Sequence, residues 1–146
     1  MSDSRYDALK LEKQLCFPLY AASRETIKLY RPLLDGLNLT YTQYIAMMVL
    51  WEQGTVSARE LGSKLFLDSG TLTPVLKSLE AKGLVRRERS VEYERVLLVS
   101  TTPEGDALKD EALSIPEKMS GCLKLEKEEV FELYRLLYKL LSSVER

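Results

Sequence analysis

The chain contains no histidine. That excludes Ser-His-Asp and Cys-His catalysis, imidazole-ligated metal sites, and any pH switch resting on an unperturbed imidazole. It has only two cysteines, which cannot complete a structural zinc site. At 146 residues it can build a core without disulfide or metal staples, so stability does not account for them. Long hydrophobic runs are also missing: the longest, Tyr44 to Trp51, is far short of a membrane span. Asp3, Asp7 and Glu12 stand at the N-terminus, with no basic segment followed by an apolar run, so a secretory signal is not expected. The expectation is a cytoplasmic protein with reduced thiols, no membrane partner and no cofactor. A formal net charge of −1 gives no global field for a polyanion, so a nucleic-acid partner must meet a local patch.

What is present is the balance of a folded domain, with 45% hydrophobic and 29% charged residues. One domain over residues 1–146 is expected. The charge is uneven along it. Residues 54–101 carry 8 basic and 6 acidic groups, whereas residues 102–146 carry 7 and 10, so an acidic tail conceals a basic middle.

Tyr20, Ser23, Ile27, Tyr30 and Leu34 draw a stripe along a first helix ending near Gly36, which Pro18 either kinks or opens. Thr40 and Gln43 form a capping box for a second helix, with Ile45, Met48 and Val49 facing the core until Gly54. Ser57 and Glu60 open a third with Leu61 and Leu65 inside. A fourth runs from about Gly70 to Lys82, burying Leu72, Val75, Leu76 and Leu79; Pro74 requires that it start close to Gly70 or Thr71. The period then changes, and Leu84 to Ser100 reads as a two-stranded hairpin. Thr102-Pro103 restarts a helix that runs to about Pro116. The last helix, about Glu126 to Val144, keeps Val130, Leu133, Leu137, Leu140 and Val144 at heptad-like spacing and needs another surface to cover it.

Two short helices followed by a basic hairpin are the order of a winged helix-turn-helix. The expected fold is mainly α with a small β-hairpin. Ser69, Gly70, Thr71, Thr73, Lys77 and Ser78 would present small donors and one cation to a major groove. Arg86, Arg87, Arg89 and Arg95 would arm a wing for the minor groove. The bland alternative is a solvated charged hairpin.

Cys16, in Leu15-Cys16-Phe17-Pro18, reads either as inert apolar filler or as a reactive thiol. An ordinary thiol, with a pKa of about 8.5, is only a few per cent thiolate at neutral pH, so reactivity needs help. A helix start at Pro18 and phenols from Tyr20, Tyr30, Tyr41 and Tyr44 are candidates for it. Cys122, in Ser120-Gly121-Cys122-Leu123, sits in a polar, flexible context that suggests exposure; it is a candidate resolving cysteine or an incidental one.

The runs Leu11-Glu12-Lys13-Gln14-Leu15-Cys16-Phe17, Leu39-Thr40-Tyr41-Thr42-Gln43-Tyr44 and Leu67-Asp68-Ser69-Gly70-Thr71-Leu72-Thr73-Pro74-Val75-Leu76-Lys77 closely resemble the organic-hydroperoxide-sensing OhrR branch of the MarR repressors. The resemblance covers nearly the whole chain from Leu9. It implies a homodimer whose terminal helices, about 1–36 and 103–146, interleave, with winged regions at about 40–101 on pseudo-palindromic double-stranded DNA. It further implies Cys16 as the peroxidatic thiol, Tyr30 and Tyr41 against it from the same or the partner subunit, Tyr20 nearby, and Cys122 where two-cysteine members carry a resolving cysteine. Two positions depart from the family pattern. The wing reads Tyr93-Glu94-Arg95 rather than Asp-x-Arg, so the acid that orients Arg95 is missing or replaced by Glu92 or Glu94, and Thr42 stands where relatives often have proline.

The leading reading is a repressor released when an organic hydroperoxide oxidises Cys16, ending in a disulfide with Cys122 or a small-thiol adduct. The alternatives are release by a small phenolic or lipophilic ligand with Cys16 inert, a thiol peroxidase with no DNA role, and a purely helical dimeric adaptor.

Overall fold

The first helix begins at Cys16 because Pro18, which lacks an N–H, falls within the first turn, where that donor has no helical partner. In the computed structural model, which describes residues 4–144, two short 3-10 turns precede it, at Ser4–Leu9 and Leu11–Lys13. The Gln14 carboxamide ties them down by donating to the carbonyls of Ala8 and Lys10, both at 2.8 Å. The order that follows is α1 (Cys16–Asp35), α2 (Tyr41–Gln53), β1 (Thr55–Ser57), α3 (Ala58–Leu65), α4 (Ser69–Ala81), β2 (Val85–Arg89), β3 (Leu97–Thr101), α5 (Pro103–Ala112), α6 (Ile115–Cys122) and α7 (Lys127–Val144). The chain divides into two units, residues 1–115 and residues 116–146.

In the first unit α2 is the central element, touching α1, α3, α4, α5, β1 and β3. Its capping box forms as the sequence predicts, but its core face differs. Tyr44, Ala46, Met47 and Leu50 are buried, Ile45 and Val49 are half-buried, and Met48 is exposed. A helix apolar almost all round has no single stripe for periodicity to find, and its neighbours decide which side is deepest. Leu34, Met47, Leu50, Leu61, Leu76, Leu79 and Val99 form the fully buried centre.

The wing is a three-stranded antiparallel sheet in the order β1-β3-β2, not a two-stranded hairpin. β1 pairs Thr55 with Ser100, Val56 with Val99 and Ser57 with Leu98. Three residues are too few to show a period of two, and the capping signal at Ser57 hides the strand that ends there. Helix α4 starts at Ser69, capped by Asp68, so Pro74 lies in its second turn and deprives the Gly70 carbonyl of its helical donor.

The helix expected to run from Pro103 to Pro116 is instead two helices. Pro116 is the second residue of α6, so this proline opens a helix rather than closing one. Cys122 consequently ends a helix instead of lying in a loop, and it is exposed as expected. Helix α7 has no buried residue: Val130, Leu133, Leu140 and Val144 are exposed, and Leu137 and Leu141 are half-buried. No helix among the described residues is long and apolar enough to cross a membrane.

The turn from α4 into the sheet is fastened to α5 at Thr102. Its Oγ1 accepts from the Gly105 N–H at 3.0 Å and donates to the Gly83 carbonyl at 2.6 Å. Gly105 therefore passes so close to the chain that a Cβ there would stand 2.1 Å from the Leu84 carbonyl oxygen. Backbone cannot yield as a side chain tip can. Gly105→Ala is expected to destabilise the fold by about 1–3 kcal/mol, read as a lower denaturant midpoint in urea unfolding.

Candidate nucleic-acid interface and thiol site

Helix α4 and the wing carry most of the residues expected at a DNA surface. Ser69, Gly70, Thr71, Thr73 and Lys77 are all exposed, and they lie in the first three turns of α4. The N-terminus of α4 is set by Asp68, whose Oδ1 accepts from the Thr71 N–H at 2.7 Å. That bond holds the Asp68 carboxyl below its usual range. Thr73 spends its hydroxyl proton on the Ser69 carbonyl at 2.7 Å, leaving its methyl and its oxygen lone pairs outward. Ser78 does not belong to this face: it is half-buried and accepts a bond from inside the unit.

The four wing arginines divide. Arg86 and Arg89 are exposed on β2, Arg86 at 3.9 Å from Glu88, and Arg89 donates to the Arg95 carbonyl at 3.3 Å across the wing. Arg95 itself lies in the exposed turn that leads into β3, where the Val96 N–H donates to the Tyr93 carbonyl at 2.8 Å. Among the described residues its guanidinium has no acidic partner within ion-pair distance, neither Glu92 nor Glu94. Arg87 is different. Its Nη2 and Nε donate to Glu80 Oε1 at 3.0 and 3.4 Å and its backbone N–H to Oε2 at 3.2 Å. The pairing keeps the Glu80 carboxyl low and straps α4 to β2. Arg87 is therefore engaged with α4, and nothing in its sequence context tells it from its neighbours. A cleft of about 450 Å³ lies between α3, α4 and the wing, bordered by Arg59, Thr73, Arg87 and Arg89.

The thiol does not meet Tyr30, Tyr41 or Tyr44 within one copy of the chain, whereas Tyr20 stands one helical turn from Cys16 on α1. Cys16 is exposed in the first turn of α1, and Tyr30 lies fourteen residues further along the same unbroken helix. At 1.5 Å per residue that is about 21 Å, beyond the reach of any two side chains. Tyr30 packs at the far end against α2, with its ring centroid 4.8 Å from that of Tyr41 and 5.9 Å from that of Tyr44. Burial raises the pKa of the Tyr30 phenol. Burial, then the neighbouring Tyr30 and Tyr41 rings, raises that of Tyr44. Both phenols stay protonated at neutral pH and can donate. Tyr20 stands apart from this cluster, 58% exposed with the Arg24 guanidinium 5.4 Å over its ring. Beside Tyr30 and Tyr41 opens a cleft of about 380 Å³, lined also by Lys28, Arg31, Leu34 and Leu39. Cys122 is exposed in the second unit.

Sequence reasoning found the Thr40 and Gln43 cap but not what else Gln43 does. Its carboxamide reaches α4, through Ser78 and Lys82, and only the tertiary fold brings those residues together.

A family model described as transcriptional regulator SarA/Rot matches residues 28–112, more than half of the chain. The organic hydroperoxide resistance transcriptional regulator of Bacillus subtilis (strain 168) is 49% identical over 142 residues, covering 97% of each chain. Among solved structures, reduced AbfR bound to DNA is 32% identical with a TM-score of 0.81 and covers 97% of this chain and 96% of that one. Overoxidized AbfR bound to DNA is 35% identical with a TM-score of 0.73 and covers 94% and 98%; AbfR is a protein of Staphylococcus epidermidis. These relatives are regulators and DNA-bound proteins, not enzymes, which removes the peroxidase reading. With its helix-turn-helix and wing in that arrangement, the chain belongs to the MarR/SarA-type winged-helix transcriptional regulators.

Proposed function

We propose that this protein is a repressor that binds pseudo-palindromic DNA as a reduced homodimer and is released when an organic hydroperoxide oxidises Cys16. The observation that carries the reading is the separation of Cys16 from Tyr30 on one continuous helix. A thiolate stabilised by Tyr30 and Tyr41 must then take them from a second copy. The cleft beside Tyr30 and Tyr41 offers space for the partner's Cys16, and the exposed apolar stripe of α7 offers a surface for the dimer. Similarity to a hydroperoxide resistance regulator supports the oxidant class.

In the first step the Cys16 thiolate attacks the hydroperoxide: an S–O bond forms, the O–O bond breaks, and the alkoxide leaves and is protonated to an alcohol. Sulfur is oxidised to sulfenate and the peroxide is reduced. In the second, Cys122 or a small thiol attacks the protonated sulfenic sulfur, an S–S bond forms and the oxygen leaves as water. We assign release to this second step. AbfR is found on DNA both reduced and overoxidized, so oxidation does not by itself prevent binding in that relative. Exposed Leu15, Phe17 and Leu19 around the thiol favour organic hydroperoxides over hydrogen peroxide.

The cleft also favours a second reading, release by a small phenolic or lipophilic ligand seated by Tyr30, Lys28 and Arg31, with Cys16 inert. Fluorescence anisotropy on DNA from around its own gene separates the two. With a small thiol present in every arm, cumene hydroperoxide is expected to weaken binding of the unmodified protein about tenfold or more, and to leave Cys16→Ser unaffected. Release of Cys16→Ser by the same treatment would refute the thiol mechanism. The Cys122→Ser variant then reports the final state: unchanged release indicates a small-thiol adduct, and loss of release indicates a bridge to Cys122.

The same titrations test the DNA surface. Lys77→Ala and Arg95→Ala are each expected to weaken binding and to reduce the slope of log affinity against log salt by about 1. Arg87→Ala is expected to lower the melting temperature, because its loss leaves Glu80 unpaired. A salt slope unchanged by both Lys77→Ala and Arg95→Ala would place DNA elsewhere on the molecule.

A further inference from the structure

Gln43 is the one buried polar residue among those described, 6% exposed between α2 and α4. A buried carboxamide is costly unless its donors and acceptors are matched. Here they are matched to two elements at once. Oε1 accepts from the Thr40 backbone N–H at 3.1 Å, closing the cap of α2, and from Lys82 Nζ at 2.8 Å. Nε2 donates to Ser78 Oγ at 2.8 Å. Lys82 Nζ also donates to the Asn38 carbonyl at 2.6 Å, in the turn before α2. Ser78 and Lys82 are one helical turn apart at the end of α4, so both grips fall on one side of that helix.

The other side of the same α2 terminus is the phenol cluster. Tyr41 and Tyr44 flank Gln43 closely in sequence, and both rings lie against Tyr30. The first turn of α2 is therefore clamped between the Tyr30 cleft and the helix that faces DNA. A helix end held by three side-chain hydrogen bonds cannot shift toward or away from Tyr30 unless α4 follows or the bonds break. A displacement at one end of such a junction is therefore passed to the other rather than absorbed within it.

We infer that Gln43 is the positioning residue through which events at the Tyr30–Tyr41 cleft are transmitted to α4, and so to DNA affinity. The inference rests on the function proposed above, in which that cleft receives the oxidised thiol. It assigns Gln43 no contact with DNA or oxidant. Ser78 is the receiving group on α4, and Lys82 with Asn38 holds the turn before α2 to the same helix end.

Two measurements test it separately from that function. The first needs no oxidant. Backbone amide NMR shifts are compared for Tyr30→Leu in the unmodified background and in a Gln43→Met background, Met filling similar volume without the carboxamide. Tyr30→Leu is expected to move the Ser78 and Lys82 amides in the first background and to leave them in place in the second. Equal shifts in both, or none in either, overturn the relay whatever the oxidant does.

The second measurement is the ratio of DNA dissociation constants with and without cumene hydroperoxide. For Gln43→Met and for Ser78→Ala it is expected to fall by about threefold or more, while the reduced proteins still bind. A ratio as large as that of the unmodified protein overturns the relay. If the unmodified protein itself shows no oxidant response but the Tyr30→Leu shifts reach Ser78 only through Gln43, the relay stands and the hydroperoxide reading fails.

Discussion

The continuity of α1 is the constraint on which the rest depends. A helix is a ruler, and this one places the thiol at Cys16 and the phenol at Tyr30 about 21 Å apart with no bend between them that could bring them together. The proline that might have broken it, Pro18, sits in the first turn, and Pro32 lies beyond Tyr30. A chemistry that needs both groups is therefore a property of a dimer. The same constraint makes sense of surfaces that are otherwise expensive: the exposed Leu15 and Phe17 next to the thiol, and the exposed apolar stripe of α7.

From that end of α1 a line of contacts leads inward. Tyr30 meets Tyr41 and Tyr44 at the start of α2, Gln43 ties that start to Ser78 and Lys82, and Glu80 between them holds Arg87 and thereby β2. The Tyr30 cleft, α4 and β2 are thus joined through side chains of α2 and α4. Gln43, Ser78, Lys82, Glu80 and Arg87 in this line are hydrogen-bonded or ion-paired, and Leu76 and Leu79 of α4 are buried in the core. A displacement at the cleft can then reach α4 and β2, because packed and hydrogen-bonded side chains lie between them.

Much of this was legible in the sequence. Caps at Thr40, Ser57 and Thr102, with Gly36 and Gly54 after the first two helices, locate helix ends to within a residue, since capping is local chemistry. The expected exposed surface of α4 is there too, apart from Ser78. What was not legible depends on partners far away in sequence. Nothing in Val85-Arg86-Arg87 says that the third residue alone faces Glu80. Met48 and Met47 are chemically identical, and only packing chooses between them. Strand β1 exists because β3 lies beside it, and Pro116 stops one reading and starts another depending on which side the helix forms.

The central claim is that each sensing site is built from two copies, with the thiol from one and the phenols from the other. Subunit mixing tests it most directly. Heterodimers are made from Cys16→Ser and from a Tyr30→Phe, Tyr41→Phe double variant, and sulfenate formation is timed with a sulfenate-specific probe after cumene hydroperoxide addition. If the site is shared, each heterodimer contains one intact site, and its Cys16 reacts at the rate of the unmodified protein. If the phenols act within their own chain, no intact site exists, and the heterodimer reacts only as slowly as the double variant alone.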